Sequence, residues 1–113
     1  MKHQMKLCKE PFDMIARGEK TIELRLYDEK RQRVKVGDNI VFTSLENRNY
    51  TLNTEVISVN VFKNFAELYE NLPIFKCGYR AGDIANPDDM LEYYSREDEE
   101  KYGVVGIEIK VIE

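Results

Sequence analysis

From Lys20 to Leu26 the chain reads Lys-Thr-Ile-Glu-Leu-Arg-Leu, so that Ile22, Leu24 and Leu26 alternate with Thr21, Glu23 and Arg25. Strict period two sends successive side chains to opposite faces of an extended strand and does not fit a helical stripe. The segment predicts a half-buried strand with one row of apolar side chains on a core. The other row, Thr21, Glu23 and Arg25, with alternate groups roughly 6.5 to 7 Å apart, suits either a line of polar contacts in a groove or a solvated strand face held by a Glu23–Arg25 pair. Lys20 has the parity of the apolar row, and joins the polar one only if the chain bends after Gly18.

Other elements fall in place around this strand. Residues 3 to 8 alternate loosely and predict a first strand, followed by a helix with Pro11 at its first position and Phe12, Ile15 and Ala16 on one face. Gly18 suits its left-handed cap. A charged loop runs from Asp28 to Lys35, and Val36-Gly37-Asp38 turns into a strand from Asn39 to Ser44. Glu46 to Asn49 predicts a hairpin turn before a β-rich run from Tyr50 to Phe62. Asn64 then caps a helix over 65–72 that Pro73 stops, and the stretch from Ile74 to Pro87 is an irregular excursion over the barrel or a cleft mouth. Asp88 to Tyr93 predicts a short helix, and Ser95 caps a further turn from Arg96 to Lys101. Gly103 closes that turn and Val104 to Ile112 forms the last strand. Five or six strands with two or three short helices describe a small α+β barrel, one domain over residues 1–113.

Composition narrows the chemistry. With 42% hydrophobic and 34% charged residues, the 113-residue chain has a core of its own and a heavily solvated surface. No stretch resembles a signal-peptide core or a membrane span, and a cytoplasmic protein with reduced thiols is expected. His3 is the sole histidine and Cys8 and Cys77 lie far apart, so neither a zinc site nor a Ser-His-Asp triad is expected, and no cofactor is called for. The net charge of -4 opposes broad attachment to nucleic acid but leaves room for a local basic strip. Arg25 to Lys35 is either such a strip or a solvated charged loop, with five cations (Arg25, Lys30, Arg31, Arg33 and Lys35) against Asp28 and Glu29, and with Tyr27 available to stack a base. Residues 88–100 carry seven acidic side chains and a single arginine, a surface that repels a polyanion and suits a basic protein partner.

The densest set of reactive groups is Gly18-Glu19-Lys20-Thr21-Ile22-Glu23-Leu24-Arg25. Arg25 offers a planar fork to a phosphate or base edge, and Lys20 a point charge or, when desolvated, a neutral base. The pattern Gly-x-Lys-x-x-Glu-x-Arg resembles the hallmark of the ASCH (activating-signal-cointegrator homology) domain. The Val36-Gly37-Asp38 turn and the segments Tyr93-Tyr94-Ser95 and Lys101-Tyr102-Gly103-Val104 extend the resemblance over nearly the whole chain.

The resemblance implies a PUA-like barrel and recognition of RNA or a nucleotide in a cleft. Lys20, Glu23 and Arg25 would lie in that cleft, Lys30 and Arg31 at its edge, and Tyr94 and Ser95 along its lining. Some small members of the family hydrolyse the acetyl amide of N4-acetylcytidine or cleave RNA. An amidohydrolase of this type would use Lys20 as base, Glu23 to move a proton and Thr21 or water as nucleophile. The similar amidohydrolases place threonine three residues after the lysine, where this chain has Glu23, and add a distal glutamate, for which Glu67, Glu70 and Glu97 are the candidates.

Overall fold

The computed structural model describes residues 1–112. Five strands are laid down in the order β1 (Lys2–Leu7), β2 (Ile22–Leu26), β3 (Asn39–Ser44), β4 (Thr51–Phe62) and β5 (Val104–Val111). Helix α1 (Lys9–Ala16) follows β1, α2 (Phe65–Asn71) follows β4, and α3 (Arg96–Tyr102) precedes β5. Short 3₁₀ turns occupy Arg31–Arg33, Ile74–Cys77 and Pro87–Glu92.

Side-chain alternation explains β1 and β3 directly. In β1, His3, Met5 and Leu7 are buried between exposed Lys2, Gln4 and Lys6, and in β3 Ile40, Phe42 and Ser44 are buried between half-buried Asn39, Val41 and Thr43. The helix after β1 begins at Lys9, two residues ahead of the expected Pro11 start, and its buried residues are Phe12, Met14 and Ile15, leaving Ala16 exposed. Asn64 caps α2 as expected: its side chain accepts from the Glu67 N–H at 2.8 Å, while Glu67 Oε1 accepts from the Lys63 N–H at 3.2 Å.

The strands form one curled sheet in the order β1-β3-β4-β5-β2, a half-barrel whose edges are β1 and β2. The β1–β3 pair is parallel and the rest are antiparallel. A register shift between Val56 and Ser58 bends β4 where the sheet curls. Inside the curl lies a core built around Phe42, Ile40, Ile15, Val105 and Ile107. A second core, with Ile22, Leu24, Leu26, Phe65 and Leu68, fills the space between the outer face of the sheet and α2. Close approach there requires Gly106, since a Cβ at that position would stand 2.5 Å from Leu72 Cδ1 and 3.3 Å from Ile22 Cγ2.

Two cores correct the half-buried reading of β2. Its apolar row packs under α2, but Glu23 and Arg25 lie opposite Ile107 and Val105 on the inner face and are covered too. Among the described residues no helix is long and apolar enough to cross a membrane.

Candidate functional site

Gly18 sets the geometry of the site. With φ +78 it turns the chain out of α1, and the N–H groups of Glu19 and Lys20 then both donate to the Met14 carbonyl, at 2.9 and 3.2 Å. Thr21 N–H donates to the Lys76 carbonyl at 2.9 Å before β2 begins at Ile22. The bend puts Lys20 outside the alternation of the strand and swings its side chain to the Glu23 side. Lys20 Nζ stands 3.0 Å from Glu23 Oε1, and Arg25 Nε donates to Glu23 Oε2 at 2.7 Å. Arg25 Nη2 continues to the Lys6 carbonyl at 2.8 Å.

This cation-anion-cation array is desolvated, with Lys20 9% and Glu23 3% exposed. Burial by itself pushes the Glu23 carboxyl up, but Lys20 and Arg25 outweigh it and hold the group below its ordinary value. Arg25, which burial disfavours as a cation, is kept charged by Glu23. Both carboxylate oxygens are engaged, so Glu23 is a fixed anion.

The array forms part of a cleft of about 830 Å3 between β2, the start of α1 and the segment from Cys77 to Tyr94. Gly78 is laid against Lys20, where a Cβ would be 3.5 Å from Lys20 Cδ. Tyr94 lines the cleft and stacks on Phe65, with ring centroids 6.0 Å apart and planes at 19°. Burial raises the Tyr94 phenol above its ordinary value. The Tyr79 hydroxyl donates to Asp89 Oδ2 at 2.8 Å and meets the Tyr69 hydroxyl at 2.8 Å, which fixes Tyr69 as the donor in that pair. Tyr69 and Tyr79 contribute to the wall, as does Cys77, whose thiol burial pushes up to about 11.

Several expected residues lie elsewhere. Thr21 leaves the row it was expected to share with Glu23 and Arg25, because β2 starts one residue later; it borders a separate pocket with Ile15, Ile109 and Val111. Ser95 is an exposed helix cap that accepts from the Asp98 N–H at 3.1 Å and does not line the cleft. Tyr27 packs on the inner core instead of presenting its ring. Lys30 and Arg31 stand outside the cleft lining, at the gap between the sheet edges, where Lys30 Nζ donates to the Gln4 carbonyl at 2.6 Å. Glu67, Glu70 and Glu97 are exposed and off the cleft.

The carboxylates that do line it are Glu10, Asp88, Asp89 and Glu92, besides Glu23, against the cations Lys6, Lys20 and Arg25. Nothing in the local sequence marks Glu10 or Lys6 as a site residue. The helical spacing of Tyr69 signals only that it faces inward.

Fold and cleft together define a PUA-like α+β half-barrel. The ASCH domain profile matches residues 5–113, and the chain belongs to the ASCH domain family, whose members generally bind RNA. It is similar to the crystal structure of hypothetical protein PH0355, with a TM-score of 0.83, 36% identity, and coverage of 99% of this chain and 100% of that one. The solution NMR structure of protein PF0455 from Pyrococcus furiosus matches with a TM-score of 0.74 and 33% identity over 100% of this chain and 99% of that one. An ASCH domain from Lactobacillus crispatus, 19% identical, shares the fold at a TM-score of 0.62 over 96% of this chain and 79% of that one. No curated protein matches the chain.

Proposed function

We propose that this chain, as a single domain, recognises RNA or a nucleotide, modified nucleosides included, by holding a base in the cleft with its edge against Lys20, Glu23 and Arg25. The buried, mutually paired Lys20–Glu23–Arg25 array carries this reading. It sets fixed donors beside a fixed acceptor in a desolvated site, so that a base edge meets a preset pattern of hydrogen-bonding groups. Tyr94, held by Phe65, supplies an aromatic edge beside it. The acidic wall of Asp88, Asp89 and Glu92 disfavours phosphate on that side, which suits a ligand that enters base first. Two free cysteines fit a reducing, cytoplasmic setting.

Amide hydrolysis has less support. Lys20 is held as an ion-pair partner of Glu23, and Thr21 faces another pocket. The test is one NMR titration of labelled protein with cytidine, N4-acetylcytidine and a short single-stranded RNA. Amide shifts concentrated on residues 20–25 and 88–94, lost in Lys20→Met, are expected, without free acetate. Shifts confined to other surfaces refute base recognition in this cleft, and acetate released by the wild type but not by Lys20→Met replaces recognition with hydrolysis.

A further inference from the structure

The two edges of the half-barrel are bridged by side chains and not by a strand ladder. Gln4 and Lys6 lie on alternate positions of β1, so their carbonyls leave the free edge on the same side, roughly 7 Å apart. Lys30 Nζ takes the Gln4 carbonyl at 2.6 Å and Arg25 Nη2 takes the Lys6 carbonyl at 2.8 Å. The adjoining Arg31 pairs with Asp28 at 3.1 Å, yet its Nε is buried with no hydrogen-bond partner.

Positive charge is therefore in excess along this seam. Arg25 shares Glu23 with Lys20, and Arg31 has Asp28; among the described residues neither Lys6 nor Lys30 has an ion-pair partner. A single lysine on an exposed edge serves to block unwanted strand pairing. Four cations drawn together, two of them without carboxylates, go beyond that need. The Lys30 ammonium is disfavoured first by burial and then by Arg31 and Arg25, a repulsion that a bound anion relieves.

We infer that the seam between β1 and β2 is a phosphate seat, formed by Lys6, Arg25, Lys30 and Arg31, that holds one phosphate of a nucleotide or of an RNA strand. The seat rests on the base-recognition reading only for the identity of the ligand that carries the phosphate. Arg25 belongs to both sites, with Nε on the Glu23 side and Nη2 at the seam. A base against Glu23 and its phosphate over Lys30 thus lie on two sides of one guanidinium, and the acidic wall of the cleft keeps the phosphate to the seam side.

The experiment compares inorganic phosphate, cytidine and cytidine 5′-monophosphate on the wild type and on Lys30→Gln, at low and high salt. Glutamine keeps an amide donor for the Gln4 carbonyl, on a side chain one atom shorter, and removes the charge. Inorganic phosphate should shift the amides of residues 4–6 and 25–31, and the monophosphate should bind about tenfold tighter than cytidine at low salt, a gain that salt and Lys30→Gln both abolish. Equal affinity for cytidine and its monophosphate, or a gain that survives Lys30→Gln, overturns the seat. If cytidine binds in the cleft without any gain from phosphate, the seat fails and base recognition stands. If phosphate shifts the seam while no nucleoside or RNA reaches the cleft, base recognition fails and the seat stands.

Discussion

Lys20 Nζ and Glu23 Oε1 stand 3.0 Å apart although their residues leave the backbone in different structures, one in the turn after α1 and the other in β2. Arg25 closes on the second oxygen, so one buried anion neutralises two cations. Glu23→Gln strands both, and breaking a buried pair in this way costs about 3 to 5 kcal/mol. The urea midpoint should fall accordingly, whereas Lys20→Met should lose less because Arg25 remains on Glu23. Glu23 titrates below its ordinary value in the folded state, so its contribution is present at neutral pH and lost on acidification.

Asp38 gives a second, separable acid response. His3 Nε2 at 2.9 Å and the Lys35 N–H at 3.0 Å hold its pKa at about 2, below the ordinary 3.8. A depressed carboxyl stabilises the fold above its unfolded pKa and loses that contribution as pH falls from 3.8 to about 2. Urea midpoints measured across that interval should drop for the wild type and drop less steeply in Asp38→Asn; parallel curves would show that Asp38 carries none of the slope.

The Asn64 side chain on the Glu67 N–H and the Glu67 carboxylate on the Lys63 N–H hold the start of α2, from which Tyr69 reaches the cleft. Asn64→Ala should cost about 1 kcal/mol. Thermal or urea denaturation measures it, and a change near zero would mean that the Glu99 carboxylate, which accepts from the Phe65 N–H at 2.8 Å, caps the helix alone.

The two thiols should react at very different rates. Cys8 is exposed, whereas Cys77 is buried and its thiol is pushed up to about 11. A thiol-specific chromogenic reagent at neutral pH should titrate one group quickly and the second only on unfolding, with the fast phase absent in Cys8→Ser. Two fast equivalents would show that the wall holding Cys77 opens freely.

Much of the fold is legible in the sequence because alternation and caps are local. The β3 bounds, the long β4 run and the Asn64 cap follow from residues within a few positions of one another. The alternation in β2 is equally plain, but period two reports two faces without reporting what covers each one. That Glu23 and Arg25 face an inner core depends on β5, and the partner of the Arg25 fork is a backbone oxygen on β1, which no side-chain pattern encodes. Lys20 was legible through Gly18, whose left-handed turn supplies the bend that the parity of the lysine requires. Thr21 misled for the same reason: the bend that brings Lys20 to Glu23 takes Thr21 out of the strand.

β2 has a single ladder partner, β5, and the nearest residues they pair, Leu26 and Val104, are separated by more than seventy residues of chain. Such a long-range pairing forms late, because the entropy of closing so large a loop must be met before any contact rewards it. During synthesis the motif strand leaves the ribosome before β5 and has no ladder partner until β5 follows. Its two charges, Glu23 and Arg25, then keep a hydrophobic segment soluble until the strand that completes it arrives.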